Sequence, residues 1–175
     1  GVMKQNSSDR FITRMSHNLL EASTAVYSPC EKYRYHLSRS WGGGPTVVFI
    51  GLNPSTATEN VNDPTVTRCI GYAKRWGFGG FIMLNAYALR STDPKGLWTV
   101  DDPAGPECDE FLRGGISNAS RIICCWGANI KPGRHARLIE MLQGRQVYHL
   151  GLTKDGYPRH PLYLRSDLKP VLWEI

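Results

Sequence analysis

The chain has no apolar run approaching the roughly 18 residues that a bilayer span requires, so no membrane-spanning helix is expected. It also lacks any C-x-x-C pair. Its five cysteines, Cys30, Cys69, Cys108, Cys124 and Cys125, form an odd set that suits neither a disulfide framework nor a zinc ribbon and fits a reducing cytoplasm. The polar first ten residues have no apolar core of a signal peptide. Also missing are H-E-x-x-H, the zinc-deaminase pattern H-x-E with P-C-x-x-C, a Walker A lysine loop and a G-x-S-x-G elbow. Gly77-Phe78-Gly79-Gly80 follows a helix-like stretch and precedes a strand-like one, the reverse of the dinucleotide-binding order. No metal and no cofactor are therefore expected.

Acidic residues are in deficit: 15 Asp and Glu stand against 21 Lys and Arg, a formal charge of +6. Fourteen of the basic residues are Arg, whose planar fork suits bidentate phosphate contacts better than the Lys point charge. That balance disfavours a cationic ligand and makes nucleic acid the first partner to test.

The length of 175 residues, with 41% hydrophobic, implies one domain of globular composition. Residues 1–28 read as a polar arm with a short helical candidate around Arg10–Ala22, and residues 29–175 as the domain proper. The alternation from Tyr33 to Trp41 predicts an antiparallel edge strand. Four apolar runs follow, Thr46–Leu52, Phe81–Tyr87, Arg121–Trp126 and Gln146–Gly151, without polar alternation, as buried parallel strands read. Between them, Val66, Cys69, Ile70, Ala73 and Trp76 mark one helix face ended by Gly77, and Gly133 to Leu142 offers another helix. The alternation predicts an α/β fold: a three-layer α/β/α sandwich with a central four-stranded, mainly parallel sheet and an added N-terminal antiparallel strand.

Ligands of such sheets bind beyond the carboxyl ends of the strands. There the sequence places Gly51-Leu52-Asn53-Pro54-Ser55, Asn85-Ala86-Tyr87, Trp126-Gly127-Ala128 and, on the loop after the fourth run, Arg159-His160-Pro161. Carboxamides (Asn53, Asn85), an imidazole (His160) and carboxylates (Glu59, Asp63) in one polar rim suit cleavage of an N-glycosidic bond. That reaction needs water near an oxocarbenium-like sugar and hydrogen-bond donors near the departing base.

Taken in order, these segments resemble the uracil-DNA glycosylase superfamily, in the branch labelled domain of unknown function 1643, over about Val47 to Leu168. The resemblance implies a uracil-DNA glycosylase-like fold and assigns roles by position. Asn53, in Gly51-Leu52-Asn53-Pro54-Ser55, stands where the family positions the attacking water. Asn85, closing Phe81-Ile82-Met83-Leu84-Asn85-Ala86, stands where it reads the flipped pyrimidine. His160, in His160-Pro161-Leu162, stands where it faces the base O2, with the following loop entering the minor groove.

Two departures from the family pattern carry chemical information. The uracil-specific branch has a bulky aromatic after the first-motif proline, whereas here Ser55 and Thr56 leave room for a C5 substituent and could bond one. The expected substrate is thus a C5-modified pyrimidine, such as glucosylated hydroxymethylcytosine in phage DNA. Asn53 replaces an acid, and an amide orients water without taking its proton, so Asp63 or Glu59 is expected to assist, although Asp63 also suits a helix N-cap. Tyr87 is a stacking candidate for the base. Arg90, Lys131, Arg134, Arg159 and Arg165 are phosphate candidates, with Leu162 and Tyr163 as wedge or void-filling side chains. The expected partner is double-stranded DNA, bound by a monomer, in base excision or antiviral defence. The alternatives are a uracil or mismatch repair glycosylase, a free-nucleoside hydrolase or deoxyribosyltransferase, and a non-catalytic DNA-binding module.

Overall fold

Among the described residues, nine strands form one mixed sheet, in the spatial order β1-β2-β3-β4-β6-β5-β7-β8-β9. In chain order they are β1 (Val2–Ser7), β2 (Ile12–His17), β3 (Ala22–Tyr27), β4 (Arg34–Ser40), β5 (Thr46–Gly51), β6 (Gly80–Asn85), β7 (Arg121–Cys124), β8 (Val147–His149) and β9 (Val171–Trp173). Three helices, α1 (Pro64–Arg75), α2 (Cys108–Asn118) and α3 (Pro132–Leu142), and a 3-10 turn over Pro94–Thr99 complete the chain. This computed structural model describes the backbone of residues 2–7 and 9–175, and side chains from residue 9 onward; the first part of the expected polar arm lies outside those side chains. No described helix is long and apolar enough to cross a membrane.

β5 runs parallel to β6 on one side and β7 on the other, β7 runs parallel to β8, and every other pairing is antiparallel. The fold is therefore α/β with a mixed sheet, larger than the expected four strands because both flanks add antiparallel strands. Period-two alternation on β5 splits the interior in two. Val47 and Phe49 pack with Val66, Cys69, Ile70 and Ala73 of α1, whereas Val48 and Ile50 pack with Leu112 and Ile116 of α2 and Leu138 and Leu142 of α3. Each fully buried Leu or Ile of these clusters contributes roughly 1.5–3 kcal/mol by its transfer from water.

The expected helix at Arg10–Ala22 is instead the β2–β3 hairpin. Its apolar pair Leu19 and Leu20, 103% and 82% exposed, sits at the turn tip rather than on a helix face. Asn18 Oδ1 accepts the Leu20 and Glu21 amides, each at 2.8 Å, and so fixes that turn. β3 is paired along its length with β4, and Ala25, Val26 and Tyr27 enter the two cores, so residues 12–27 belong to the sheet and not to a separate arm. β4 is likewise an interior strand, flanked by β3 and β6, where an edge strand was expected. Helix α2 was hidden by Gly114 and Gly115; a Cβ on Gly115 would stand 2.3 Å from Leu84 Cδ1, so the glycine is what lets this helix lie close on the sheet.

The chain leaves β5 for β6 on one side and later returns to β7 on the other. The carboxyl end of β5 is therefore the point where the connections diverge and a crevice opens.

Candidate functional site

At that crevice lies a cleft of about 490 Å³, walled by Leu52, Asn53, Ser55, Asp63, Ser91, Trp126, Gly127, His160, Leu162 and Tyr163 among others. Beneath it is a niche of about 20 Å³ that shares Asn53, Ser55, Asp63 and His160 with the cleft and adds Arg34, Gly51, Met83 and Asn85. Seven of the residues expected from sequence thus come together: Asn53, Ser55, Asp63, Asn85, His160, Leu162 and Tyr163.

Asn85 ends β6 and is only 7% exposed, yet its carboxamide makes no hydrogen bond to another described residue. Gly51 on the neighbouring strand makes room for it, since a Cβ there would lie 3.1 Å from Asn85 Nδ2. Unlike Arg34 Nε, its amide is not sealed from solvent, so it is open to a water or a ligand in the niche. Asn53 is different: its Nδ2 donates to the carbonyls of Ser91 (2.8 Å), Pro54 (3.0 Å) and Leu89 (3.4 Å), tying the loop after β5 to the loop after β6. Its Oδ1 remains as an acceptor.

His160 lies on the loop beyond β8 and backs onto Gly127, whose Cβ would sit 3.4 Å from His160 Cβ and whose backbone holds φ at 76°. The Gly127 amide donates to Pro158 O at 2.7 Å, locking the two loops. His160 Nδ1 accepts the Leu162 amide at 3.2 Å, so the proton of the neutral ring resides on Nε2. Burial lowers the His160 pKa, against the opposing pull of the Asp63 carboxylate, and keeps the ring neutral at physiological pH.

Among the described residues, Asp63 is the sole carboxylate on either wall, and its two oxygens are already engaged. Oδ1 accepts the Val66 amide at 2.9 Å as the N-cap of α1, and Oδ2 accepts the Ala57 amide at 3.2 Å. It therefore builds the loop that carries Ser55 as well as lining the site.

Several expected residues lie elsewhere. Glu59 lines neither cavity; it is buried against β3, where Oε1 accepts the Tyr27 hydroxyl at 2.9 Å. Burial, and then this carboxylate, pushes the Tyr27 phenol up to about 12. Thr56 is exposed and outside both walls. Tyr87 is core: its hydroxyl accepts the Lys131 amide at 3.1 Å and its ring meets Trp98 edge-on. Arg134 is consumed by structure, with Nε on Ala86 O at 2.7 Å and Nη2 on Asp109 at 2.6 Å. Arg90 stacks over Tyr27 and reaches Glu31 O, away from the cleft. Arg159 folds back on Leu152 O of its own loop, and exposed Arg165 pairs with Asp167 through two nitrogens. Lys131 is exposed at the start of α3, its Nζ over the Trp98 ring. Long Arg side chains satisfy carbonyls and carboxylates that only the fold brings near, which their position on a loop does not reveal.

Tyr163, at the mouth, is 91% exposed and holds φ at 70°, an uncommon conformation for a side chain of its size. The residue missed by sequence is Arg34. It is 2% exposed at the start of β4, with Nη1 on Ala57 O at 3.0 Å and Nε without a partner. Burial pulls its pKa down to about 10, Asp63 opposing, so it remains a cation at neutral pH. Its only signal was its place in an alternating strand.

No group of three or more metal-binding side chains occurs among the described residues. No curated protein and no solved structure matches the chain. One family does, over residues 34–162, a span that holds Arg34, both asparagines, Asp63 and His160: the chain belongs to the family described as Protein of unknown function (DUF1643).

Proposed function

We propose that the chain is a monofunctional DNA glycosylase that hydrolyses the N-glycosidic bond of a flipped, C5-modified pyrimidine and leaves an abasic site. The observation that carries this reading is the Asn85 carboxamide, without a hydrogen-bond partner among the described residues, on one small niche with the neutral imidazole of His160 and the amide of Asn53. In this reading the base enters the cleft, Asn85 reads its polar edge, and His160 donates toward its exocyclic oxygen. Asn53 Oδ1 holds the water. The C1′–N1 bond breaks with its electron pair going to the base, the water oxygen joins C1′, and the water proton ends on the departed base. Asp63, with a second lone pair on each oxygen, is the nearest carboxylate to a cationic sugar. Ser55 alone of the expected small hydroxyl residues lines the wall where a C5 substituent would sit. The sequence resemblance to the uracil-DNA glycosylase superfamily and its sandwich supports the same reading, as does the formal charge of +6. Excision of modified cytosine from invading phage DNA is the setting that fits an open C5 wall.

A second reading is favoured by one feature: among the described residues no Lys or Arg lines the outer cleft, which suits a free nucleoside as well as a duplex. Salt separates the two, because duplex binding weakens steeply with ionic strength and nucleoside binding does not. The deciding experiment incubates the protein with DNAs carrying uracil, a thymine mismatch, cytosine, hydroxymethylcytosine or its glucosylated form, and counts abasic sites beside an Asn85→Ala control. Abasic sites in one substrate, lost in the control, support the proposal. Intact DNA throughout, with hydrolysis of free nucleosides, replaces it by the second reading.

A further inference from the structure

The niche beneath the cleft has a volume of about 20 Å³, room for a single oxygen-sized group. Its wall contains one cation. Arg34 opens β4, the antiparallel strand beside β6, and lines the niche together with Asn85. One of its nitrogens is satisfied by Ala57 O, whereas Nε is buried and has no acceptor. An arginine has donors only, so what completes this environment is an oxygen acceptor. The other polar groups on the wall are neutral Asn53, Ser55, Thr65, Asn85 and His160, and an Asp63 whose oxygens already accept two backbone amides.

We infer that Arg34 receives the exocyclic oxygen of the base in this niche and stabilises the negative charge which that oxygen acquires as the glycosidic bond breaks. The inference rests on the glycosylase reading and deepens it by naming the group that carries leaving-group charge. When the C1′–N1 pair passes to a pyrimidine, the anion spreads from N1 onto the adjacent carbonyl oxygen. His160 contributes a dipole, and Arg34 contributes a full charge without transferring a proton. A preorganised donor at such a position is worth about 10²–10³ in rate. The niche therefore selects a base with a carbonyl oxygen at its deep edge and disfavours one presenting an amino group there, since two donors would meet.

The test compares wild type with Arg34→Met and Arg34→Lys on one oligonucleotide carrying either uracil or 5-fluorouracil, the second a better leaving group. Thermal melts establish that each variant is folded. The expected result is a loss of about 100-fold or more for Arg34→Met on uracil, a clearly smaller loss on 5-fluorouracil, and partial recovery in Arg34→Lys. A merely structural role would lower both substrates equally. Equal losses, or none, in a folded variant overturn the inference and leave the glycosylase reading standing. A wild type that releases neither these bases nor any base of the panel above overturns both, and one that releases only a modified cytosine is decided by the resonance test that follows.

Should the variants fail to fold, the wild type decides. ¹⁵N-labelled protein is titrated with an oligonucleotide whose target sugar carries a 2′-fluorine that blocks departure of the base. A shift of the Arg34 Nε–H resonance supports the inference, and an unmoved resonance in the bound complex overturns it.

Discussion

Asp63 offers the sharpest test of how the site is built, because one carboxylate holds together three things. It caps α1 through Val66, latches the Ala57 amide at the end of the Pro54–Ala57 loop, and lies close enough to Arg34 to favour its charged form. Asp63→Ala removes the cap, which costs about 0.5–2 kcal/mol. It also strands the N–H of fully buried Ala57, worth about 1–3 kcal/mol more. The two losses touch the same loop and are not independent, so about 2–4 kcal/mol is expected in total. For a chain of this length that lowers the melting temperature by roughly 5–15 °C. Asp63→Asn keeps one oxygen for Val66 but turns an amide NH₂ toward the Ala57 N–H, and about half the loss is expected. The assay is a pair of urea and thermal melts followed by base release measured well below each variant's melting temperature. Activity that falls only as the folded fraction falls identifies Asp63 as a builder of the site. Loss in fully folded Asp63→Asn identifies a catalytic carboxylate. An Asp63→Ala protein melting within about 2 °C of wild type would refute the energetic reasoning.

Acid should destabilise the protein through its histidines. Burial lowers His36 to about 4, and lowers His135, His149 and His160 in the same direction. Each is more readily protonated unfolded than folded, so the stability is complete above pH 6.5 and is lost as pH falls toward 4, by up to about 3 kcal/mol for His36; urea melts of wild type and His36→Gln at pH 7 and 5 check it, and equal pH dependence in both rejects it. Gly51→Ala places a Cβ 3.1 Å from Asn85 Nδ2 and displaces that amide by a few tenths of an ångström. Base release should fall about tenfold or more with little change in melting temperature, and an unchanged rate removes Asn85 from recognition. Arg134→Ala breaks ties to Ala86 and Asp109 and should cost about 2–3 kcal/mol without altering the salt dependence of DNA binding. Lys131→Ala should leave stability intact and reduce the salt slope by about one, as fluorescence titrations at several salt concentrations would read.

Sequence sufficed where the signal is local and periodic. The apolar runs became β5 to β8 within a residue or a few, α1 follows its predicted face, and the β5 and β6 runs end at the loops that carry Asn53 and Asn85, because a strand's length and direction follow from its own side chains. His160 entered the site as expected because the loop beyond β8 returns over β7, a path held by Gly127 and Pro158. Hairpin β2–β3 was unreadable because its Leu-Leu turn imitates an apolar helix stripe, and α2 because its glycines serve packing against Leu84 rather than a turn.

The allocation of charged side chains belonged entirely to the tertiary structure. A guanidinium, carboxylate or phenol takes whichever oxygen or amide lies within a few ångströms in space, and the neighbours named here are 25 to 93 residues distant in sequence. That is why Glu59 turned to Tyr27, Arg134 to Asp109 and Tyr72 to the Arg165 carbonyl. It is also why Arg34, an unremarked residue opening an interior strand, became the buried cation of the niche once β4 was laid beside β6.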